Sequence, residues 1–167
     1  MSVKSILFVC TGNSCRSVMA EYLMRQALQQ HGLVGTTVES AGVFAVDGME
    51  STRETQRVLQ EAGADASKHH ARSLTPDMVR HADLVFAMEA LHAEEVLRRA
   101  PDARAKLHLL KPFGLGPGEL TGHPGIPDPI GKPLEVYEVC FTEIQQAIGR
   151  VIKALKSGVI PGPAKDI

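Results

Sequence analysis

Four short strand-like segments are spaced along the chain, and longer stretches with helical character lie between them. The segments lie near Val3 to Val9, Thr37 to Ser40, Leu84 to Met88 and Lys106 to Leu110. The first one ends in four consecutive apolar residues, which is typical of a strand that is covered on both faces. Strands that alternate with helices favour a parallel sheet, because a crossover helix returns the chain to the same edge.

The stretches between these strands carry apolar stripes or capping residues that predict helices. Helices are expected near Ser17 to His31, near Thr52 to Ala62, from Pro76, from after Met88 to about Arg99, and up to Gly158. Ser17 is expected to cap the first helix. Thr75 is expected to cap the short helix that begins at Pro76. The last helix is expected to bury one face, made of Tyr137, Phe141, Ile144, Ile148, Val151 and Leu155.

The element order predicts one α/β domain over residues 1–158, with a four-stranded parallel sheet and helices on both faces. A length of 167 residues is enough for one domain with a substantial core. Residues 159–167 contain Pro161-Gly162-Pro163 and are expected to form a disordered tail. In such sheets ligands bind beyond the carboxyl ends of the strands, so this edge is where a site is expected.

The connection between the first strand and the first helix is chemically distinctive. It reads Cys10-Thr11-Gly12-Asn13-Ser14-Cys15-Arg16-Ser17, and we call residues 10–17 the cysteine loop. Free backbone N–H groups at a helix N-terminus favour an anion, and Gly12 and Asn13 tolerate the positive φ that turns such groups inward. A thiolate is stabilised in this setting, and the Arg16 fork can bind two phosphate oxygens. The sequence of this segment therefore predicts that it binds phosphate and that Cys10 is a nucleophile.

A second segment supplies a candidate general acid and base. Asp128 lies in Gly125-Ile126-Pro127-Asp128-Pro129-Ile130-Gly131, where prolines on both sides stiffen the backbone. Taken alone, an aspartate in such a loop is as well explained as a turn residue. Together with the cysteine loop, it favours a residue that protonates the leaving group and then activates water.

At this point the chain resembles the low-molecular-weight protein tyrosine phosphatases over nearly its whole length. The matching motifs are the cysteine loop with Met19-Ala20-Glu21 after it, Ser40-Ala41-Gly42, Ala71-Arg72 and Asp128-Pro129, in the family's order. The resemblance implies Cys10 as nucleophile, Arg16 as phosphate binder and Asp128 as acid and base. It also implies loop support from hydrogen bonds of Asn13, Ser17, Ser40 and His69.

Three departures from the common family pattern bear on the substrate. Ser14 replaces a bulky aliphatic residue, Ile130 replaces an aromatic residue, and Val18 replaces a proline. A bacterial branch that this chain resembles has a hydroxyl residue, usually threonine, at the Ser14 position and dephosphorylates protein phosphoarginine. Loss of the aromatic residue removes a ring contact worth about 0.5–1.5 kcal/mol. Phosphotyrosine is favoured slightly as the substrate, and phosphoarginine is the alternative.

Cys15 lies in the same loop, and the resemblance favours its forming a reversible disulfide with oxidised Cys10. Packing as a plain loop thiol is the other interpretation. Arsenate reduction on the same fold is less favoured, because the third strand lacks the shuttling cysteine that this chemistry needs. A non-enzymatic phosphoprotein-binding module is also less favoured, because it could dispense with Cys10 or Asp128. Cys140, in the last helix, is expected to be a small core residue.

Composition narrows the partners. There are 18 basic and 19 acidic residues, a net charge of −1, so nothing indicates nucleic acid binding. No segment predicts a signal peptide or a membrane span, and three cysteines fit a reducing cytoplasm. The expected partner is a phosphorylated protein substrate. The expected mechanism uses no metal or cofactor, and the expected state is a monomer or weak dimer.

Overall fold

The fold is built on four parallel strands. The computed structural model describes residues 2–163. This part of the chain contains β1 (Ser5–Cys10), β2 (Thr37–Gly42), β3 (Leu84–Ala87) and β4 (Leu107–Leu109), all in one sheet of order β2-β1-β3-β4. All three neighbouring pairs are parallel. The predicted four-stranded parallel sheet is confirmed, with β2 longer at its carboxyl end than expected.

Within residues 2–163, five α-helices connect and follow the strands. They are α1 (Arg16–Gln30), α2 (Arg53–Glu61), α3 (Pro76–His81), α4 (Ala90–Arg99) and α5 (Leu134–Ser157). The segment Pro101–Lys106 forms a 3₁₀ helix before β4. This helix includes Lys106, so β4 begins one residue later than predicted, and β4 also ends one residue earlier, at Leu109. The order of strands and helices agrees with the sequence pattern.

The sheet separates two apolar cores, because successive side chains of a strand point to opposite faces. On β1, Ile6 and Phe8 join one core, and Leu7 and Val9 join the other. Helices α1, α2 and α5 cover the first face, and α3 and α4 cover the second. Stacking of Phe8 on Phe86, with ring centroids 5.5 Å apart, ties the two central strands together on the first face.

Several helix boundaries follow from local chemistry that the sequence revealed. The Thr75 hydroxyl accepts a hydrogen bond from the Met78 N–H at 3.2 Å, as expected of a cap before a proline. Gly158 ends α5 in the left-handed conformation, with φ of 72°. Four of the six residues predicted for the buried face of α5 are buried, whereas Phe141 and Leu155 are half-buried at its margin.

Ser17 does not cap α1, so this prediction is wrong. The helix begins at Arg16, its N-cap residue is Cys15, and no side chain caps it. Ser17 lies inside the first turn and is fully buried. Its hydroxyl is engaged within the cysteine loop instead, so it is not available to the first free N–H groups of the helix.

The predicted tail is only partly covered by the structure. Ile160 is half-buried and packs against the core on the α1 and α5 side of the sheet. Residues 164–167 lie outside the described residues. The disorder of residues 159–167 stays a prediction.

One buried histidine should make stability depend on pH. His108 of β4 packs against Phe86 and Phe113, with centroids 5.7 and 5.0 Å away, and burial lowers its pKa to about 4. The unfolded chain therefore takes up this proton first, and stability falls as the pH drops from about 6.5 to about 4. We expect His108→Leu to flatten this loss by at most about 1.4 kcal/mol per pH unit. Urea unfolding at several pH values measures the free energy of unfolding of both proteins. An identical dependence of this free energy on pH in the wild-type protein and in His108→Leu would contradict the prediction.

Candidate active site

The cysteine loop lies at the carboxyl end of β1 and is fastened to the end of β2. The N–H of Val43 donates to the carbonyl of Cys10, and the N–H of Phe44 donates to that of Thr11, both at 2.9 Å. Asn13 takes up a left-handed backbone conformation with φ of 53°, whereas Gly12 does not. Positive φ at one of the two predicted residues is therefore enough to turn the loop. Cys10 itself is buried.

The Cys10 sulfur contacts the hydroxyl of Ser17. Cys10 Sγ lies 2.9 Å from Ser17 Oγ, and that oxygen accepts a hydrogen bond from Asn13 Nδ2 at 2.8 Å. Because the Ser17 oxygen already accepts from the amide, its own proton is free to point at the sulfur. A hydroxyl that donates to sulfur stabilises the thiolate over the thiol.

Asn13 connects the loop to three other segments. Its Nδ2 also donates to Ser40 Oγ at 2.8 Å, and its Oδ1 accepts from the Arg72 N–H at 3.0 Å. The Ser40 hydroxyl donates a hydrogen bond to Glu21 Oε1 at 2.6 Å. The predicted contacts of Asn13 with Ser17 and Ser40 are therefore present. Arg72 and Glu21 extend them.

His69 reaches the same asparagine by its main chain. The His69 Nε2 lies 3.1 Å from the main-chain carbonyl oxygen of Asn13. A carbonyl oxygen can only accept, so His69 donates this hydrogen bond. The histidine is buried, and burial lowers its pKa below the ordinary value. The neighbouring His70 is exposed and pairs its backbone with Glu50 instead. Of the two adjacent histidines, His69 is thus the one that contacts Asn13, as the family resemblance implied.

Arg16 is buried and its guanidinium is held by groups from two other segments. Nη1 donates to the carbonyl of Ile126 at 2.8 Å and forms an ion pair with Glu89. Nη2 lies 3.4 Å from both Asp128 Oδ2 and Thr11 Oγ1. Sequence reasoning missed Glu89 and Ile126. Glu89 immediately precedes α4, just beyond the carboxyl end of β3, which is where site residues of a parallel sheet gather.

Asp128 stands at the open side of this arrangement. Its carboxylate is 39% exposed, its Oδ2 faces Arg16, and its Oδ1 accepts from the Ile130 N–H at 3.1 Å. The loop that carries Asp128 is attached to the chain just after β3, where the Ile126 N–H donates to the Met88 carbonyl at 2.9 Å. Ile130 is exposed beside it. The structure thus brings Asp128 and the cysteine loop together, as the sequence predicted.

A second group that sequence reasoning missed is the fully buried His92 on α4. Its Nδ1 accepts from the Glu89 N–H at 3.1 Å, and its Nε2 lies 2.8 Å from Thr11 Oγ1. Burial, reinforced by the positive charge of Arg16, lowers the pKa of His92 to about 3. His92 is therefore neutral near pH 7. Its spacing of three from Glu89 was the available signal, since reciprocal capping joins the N-cap and third helical positions.

Ser14 and Cys15 face the α2 and α5 side of the loop. The Ser14 carbonyl accepts from the Thr52 N–H at 3.2 Å, and the Ser14 side chain is buried. Cys15 Sγ lies 3.7 Å from Thr52 Oγ1 and 3.7 Å from the Tyr137 hydroxyl. All three cysteines are free thiols. A disulfide between Cys10 and Cys15 stays a prediction.

Cys140 behaves as a core residue. It is buried on α5, and burial raises the pKa of its thiol to about 12.

Within residues 2–163, no three His, Cys, Asp or Glu side chains are grouped so that they could hold a metal ion. No helix in the same range has both the length and the apolar character needed to cross a membrane.

The fold and the loop define a class: parallel α/β proteins that carry an anion-binding turn between the first strand and the first helix. Residues 5–159 match the family of low molecular weight phosphotyrosine protein phosphatases. The chain belongs to this family and is thus an enzyme of the hydrolase type that acts on phosphorylated proteins.

Named relatives within the family fall into two groups. The protein-arginine-phosphatase of Geobacillus stearothermophilus is 39% identical over 91% of this chain and 96% of its own length. The low molecular weight protein-tyrosine-phosphatase Etp of Escherichia coli is 33% identical over 88% of this chain and 91% of its own.

Solved structures give the same two groups. The tyrosine phosphatase AmsI of Erwinia amylovora has a TM-score of 0.80 at 32% identity and covers 92% of this chain and 93% of its own. The arginine phosphatase YwlE of Geobacillus stearothermophilus has a TM-score of 0.80 at 37% identity and covers 92% and 94%.

A close approach at Gly42 should make this glycine essential to the loop. A Cβ atom there would lie 2.4 Å from the Thr11 carbonyl oxygen and 2.9 Å from the Asn13 nitrogen, both backbone atoms. We expect Gly42→Ala to displace the loop and weaken binding of inorganic phosphate or vanadate at least about tenfold, or roughly 1.4 kcal/mol.

The matched control is Gly149→Ala on α5, where an added Cβ meets nothing within 4 Å. It should leave oxyanion binding unchanged while making the helix more stable by about 0.5–1 kcal/mol. Calorimetric titration of both variants makes the comparison. Unchanged affinity in Gly42→Ala would mean that the close contact does not set the loop.

Proposed function

We propose that this chain hydrolyses phosphorylated side chains of proteins by two displacements at phosphorus, through a phosphorylated Cys10. The observation that carries the proposal is the convergence of three groups on one loop. The Cys10 sulfur meets the Ser17 hydroxyl at 2.9 Å, and Arg16 of the same loop places its Nη2 3.4 Å from the carboxylate of Asp128. A nucleophile, an anion receptor and a proton donor are the parts that this chemistry requires.

In the first step the Cys10 thiolate attacks phosphorus opposite the leaving group. An S–P bond forms, the bond from phosphorus to the leaving atom breaks, and its electron pair stays on that atom. Protonated Asp128 then transfers its proton to the leaving atom. Arg16 and the loop N–H groups bind the phosphoryl oxygens, whose charge they stabilise in the transition state.

In the second step water attacks the phosphorus of the cysteinyl-phosphate. The Asp128 carboxylate takes a proton from this water, an O–P bond forms, and the S–P bond breaks with its electron pair on sulfur. The Ser17 hydroxyl stabilises the departing thiolate, because its proton is free to point at Cys10 Sγ. Phosphate leaves, and Asp128 is again protonated for the next substrate.

The role of Asp128 predicts a dependence on the leaving group. Asp128→Ala should lower kcat/KM for phosphotyrosine peptides by about 10²–10⁴-fold, but much less for p-nitrophenyl phosphate, whose leaving group needs no proton. Steady-state kinetics on both substrates measures the ratio, with Cys10→Ser as the inactive blank. Asp102→Ala, which removes an exposed carboxylate from the 3₁₀ helix, is the control. Equal losses on both substrates would argue against proton donation by Asp128.

For the substrate we propose phosphotyrosine. Phe44 supports this choice, because its backbone is hydrogen-bonded to Thr11 next to the loop and the residue is 70% exposed. An exposed ring there offers an aromatic contact that Ile130 cannot provide. Relatives named as tyrosine phosphatases, such as Etp, are consistent with it.

Phosphoarginine is the second candidate, and Ser14 is the observation that favours it. Its small, buried hydroxyl side chain replaces a bulky aliphatic one, which leaves room and polarity for a guanidinium nitrogen. The relative from Geobacillus stearothermophilus, named as an arginine phosphatase, is consistent with it as well.

The two substrates are separated by kcat/KM on matched phosphotyrosine and phosphoarginine peptides. We expect phosphotyrosine to be preferred, and Ser14→Ile to increase that preference at least about tenfold, because it fills the space beside the loop. A preference of the wild-type protein for phosphoarginine would overturn the proposed substrate. In that case Ser14→Ile should abolish the preference.

A further inference from the structure

The hydroxyl group of Thr11 has two hydrogen-bond partners in the protein. One comes from Arg16 Nη2 at 3.4 Å, since a guanidinium can only donate. The other partner is His92 Nε2 at 2.8 Å, and the direction of that bond depends on where the imidazole proton lies. The direction decides what the Thr11 hydroxyl can do.

The backbone of Glu89 fixes the proton on His92. A backbone N–H can only donate, so His92 Nδ1, 3.1 Å from the Glu89 nitrogen, is unprotonated and accepts. A neutral imidazole then carries its proton on Nε2 and donates it to Thr11 Oγ1. Burial and the nearby Arg16 charge, which lower the pKa of His92 to about 3, keep the ring neutral near pH 7.

With both lone pairs of its oxygen used, Thr11 can only donate its hydroxyl proton. Among residues 2–163 the Thr11 hydroxyl has no hydrogen-bond partner besides these two donors, so its own proton has no acceptor within the protein. We propose that the Thr11 hydroxyl donates to the phosphoryl group bound in the cysteine loop, and that His92 positions it for this. Thr11 is thereby a further catalytic residue, and His92 is a positioning residue that acts through it.

The position of Thr11 fits this role. It follows Cys10 directly, and its hydroxyl is bound to the same Arg16 amino group that faces Asp128 Oδ2. The donor therefore lies on the Asp128 side of the loop, towards the atoms that leave and enter. The ligand chemistry is a tetrahedral oxyanion. The inference rests on the proposed phosphatase reaction for its catalytic part, and on oxyanion binding alone for the rest.

The test compares variants that keep or remove the two donors. Thr11→Val removes the hydroxyl at constant shape and should lower kcat/KM about 10- to 100-fold, as expected of a hydrogen bond to a charged group. Thr11→Ser should remain within about threefold of the wild-type value. His92→Leu should cost about tenfold, and His92→Gln, which can still donate from the same place, should recover most of it.

A double-mutant cycle separates positioning from a general structural effect. If His92 acts only through the Thr11 hydroxyl, His92→Leu in the Thr11→Val background should change kcat/KM by less than about twofold. His108→Leu removes a buried histidine outside the site and is the matched control, with no expected effect on kcat/KM. Additive losses at the two positions would overturn the positioning role, and wild-type kinetics in Thr11→Val would overturn the donor.

Vanadate binding distinguishes this inference from the proposed function. Calorimetric titration needs no turnover, and Thr11→Val should bind vanadate at least about fivefold more weakly than Thr11→Ser. If Cys10→Ser retained full hydrolysis, the cysteinyl mechanism would fail while this difference could still stand. Equal vanadate affinities in the two Thr11 variants, together with equal kcat/KM, would refute the donor alone.

Discussion

The site depends on the conformation of Asn13. Its left-handed backbone turns the cysteine loop, and its side-chain amide uses both ends to hold that turn. Asparagine adopts the left-handed backbone conformation at a lower conformational energy than most residues do. The conformation nevertheless persists only when the surrounding contacts over-determine it. Here the contacts come from α1 through Ser17, from β2 through Ser40 and from the segment before α3 through Arg72. The loop geometry is therefore a property of the whole sheet edge.

Arg16 imposes the second constraint, because a buried guanidinium must be compensated. It is 2% exposed, and it is paired with Glu89 and Asp128 and bound to the Ile126 carbonyl. Desolvating a charge without partners costs several kcal/mol, and these three groups offset that cost for the guanidinium. Each lies beyond the end of β3 or on the loop attached to it. The order of strands in the sheet explains why residues distant in sequence meet at Arg16.

Features that are local in sequence were predictable. The apolar run of β1, the cap at Thr75 and the stop at Gly158 each depend on neighbouring residues, and the structure has them at the expected positions. Asp128 could be selected because its flanking prolines and the cysteine loop pointed to one reaction. Ser17 was misassigned as a cap, because serine is a common N-cap residue, whereas its hydroxyl here is engaged by Asn13 and Cys10.

Other contacts between distant segments were not predictable. Glu89, Ile126 and His92 reach the loop only because β3 is placed beside β1. His92 also looks like an ordinary helix residue in the sequence, and its tautomer follows from a backbone N–H whose direction only the fold defines. A pattern of residue types therefore identifies the reacting groups more readily than the groups that orient them.

The most direct test of the account is to trap the covalent intermediate. The wild-type protein is mixed with excess p-nitrophenyl phosphate, quenched during turnover, digested under conditions that preserve thiophosphates, and analysed by mass spectrometry. The account predicts one added phosphoryl group on the peptide that contains the cysteine loop, assigned to Cys10 by fragmentation and absent from Cys10→Ala. Turnover without a phosphoryl group on Cys10, or with one on another residue, would contradict it.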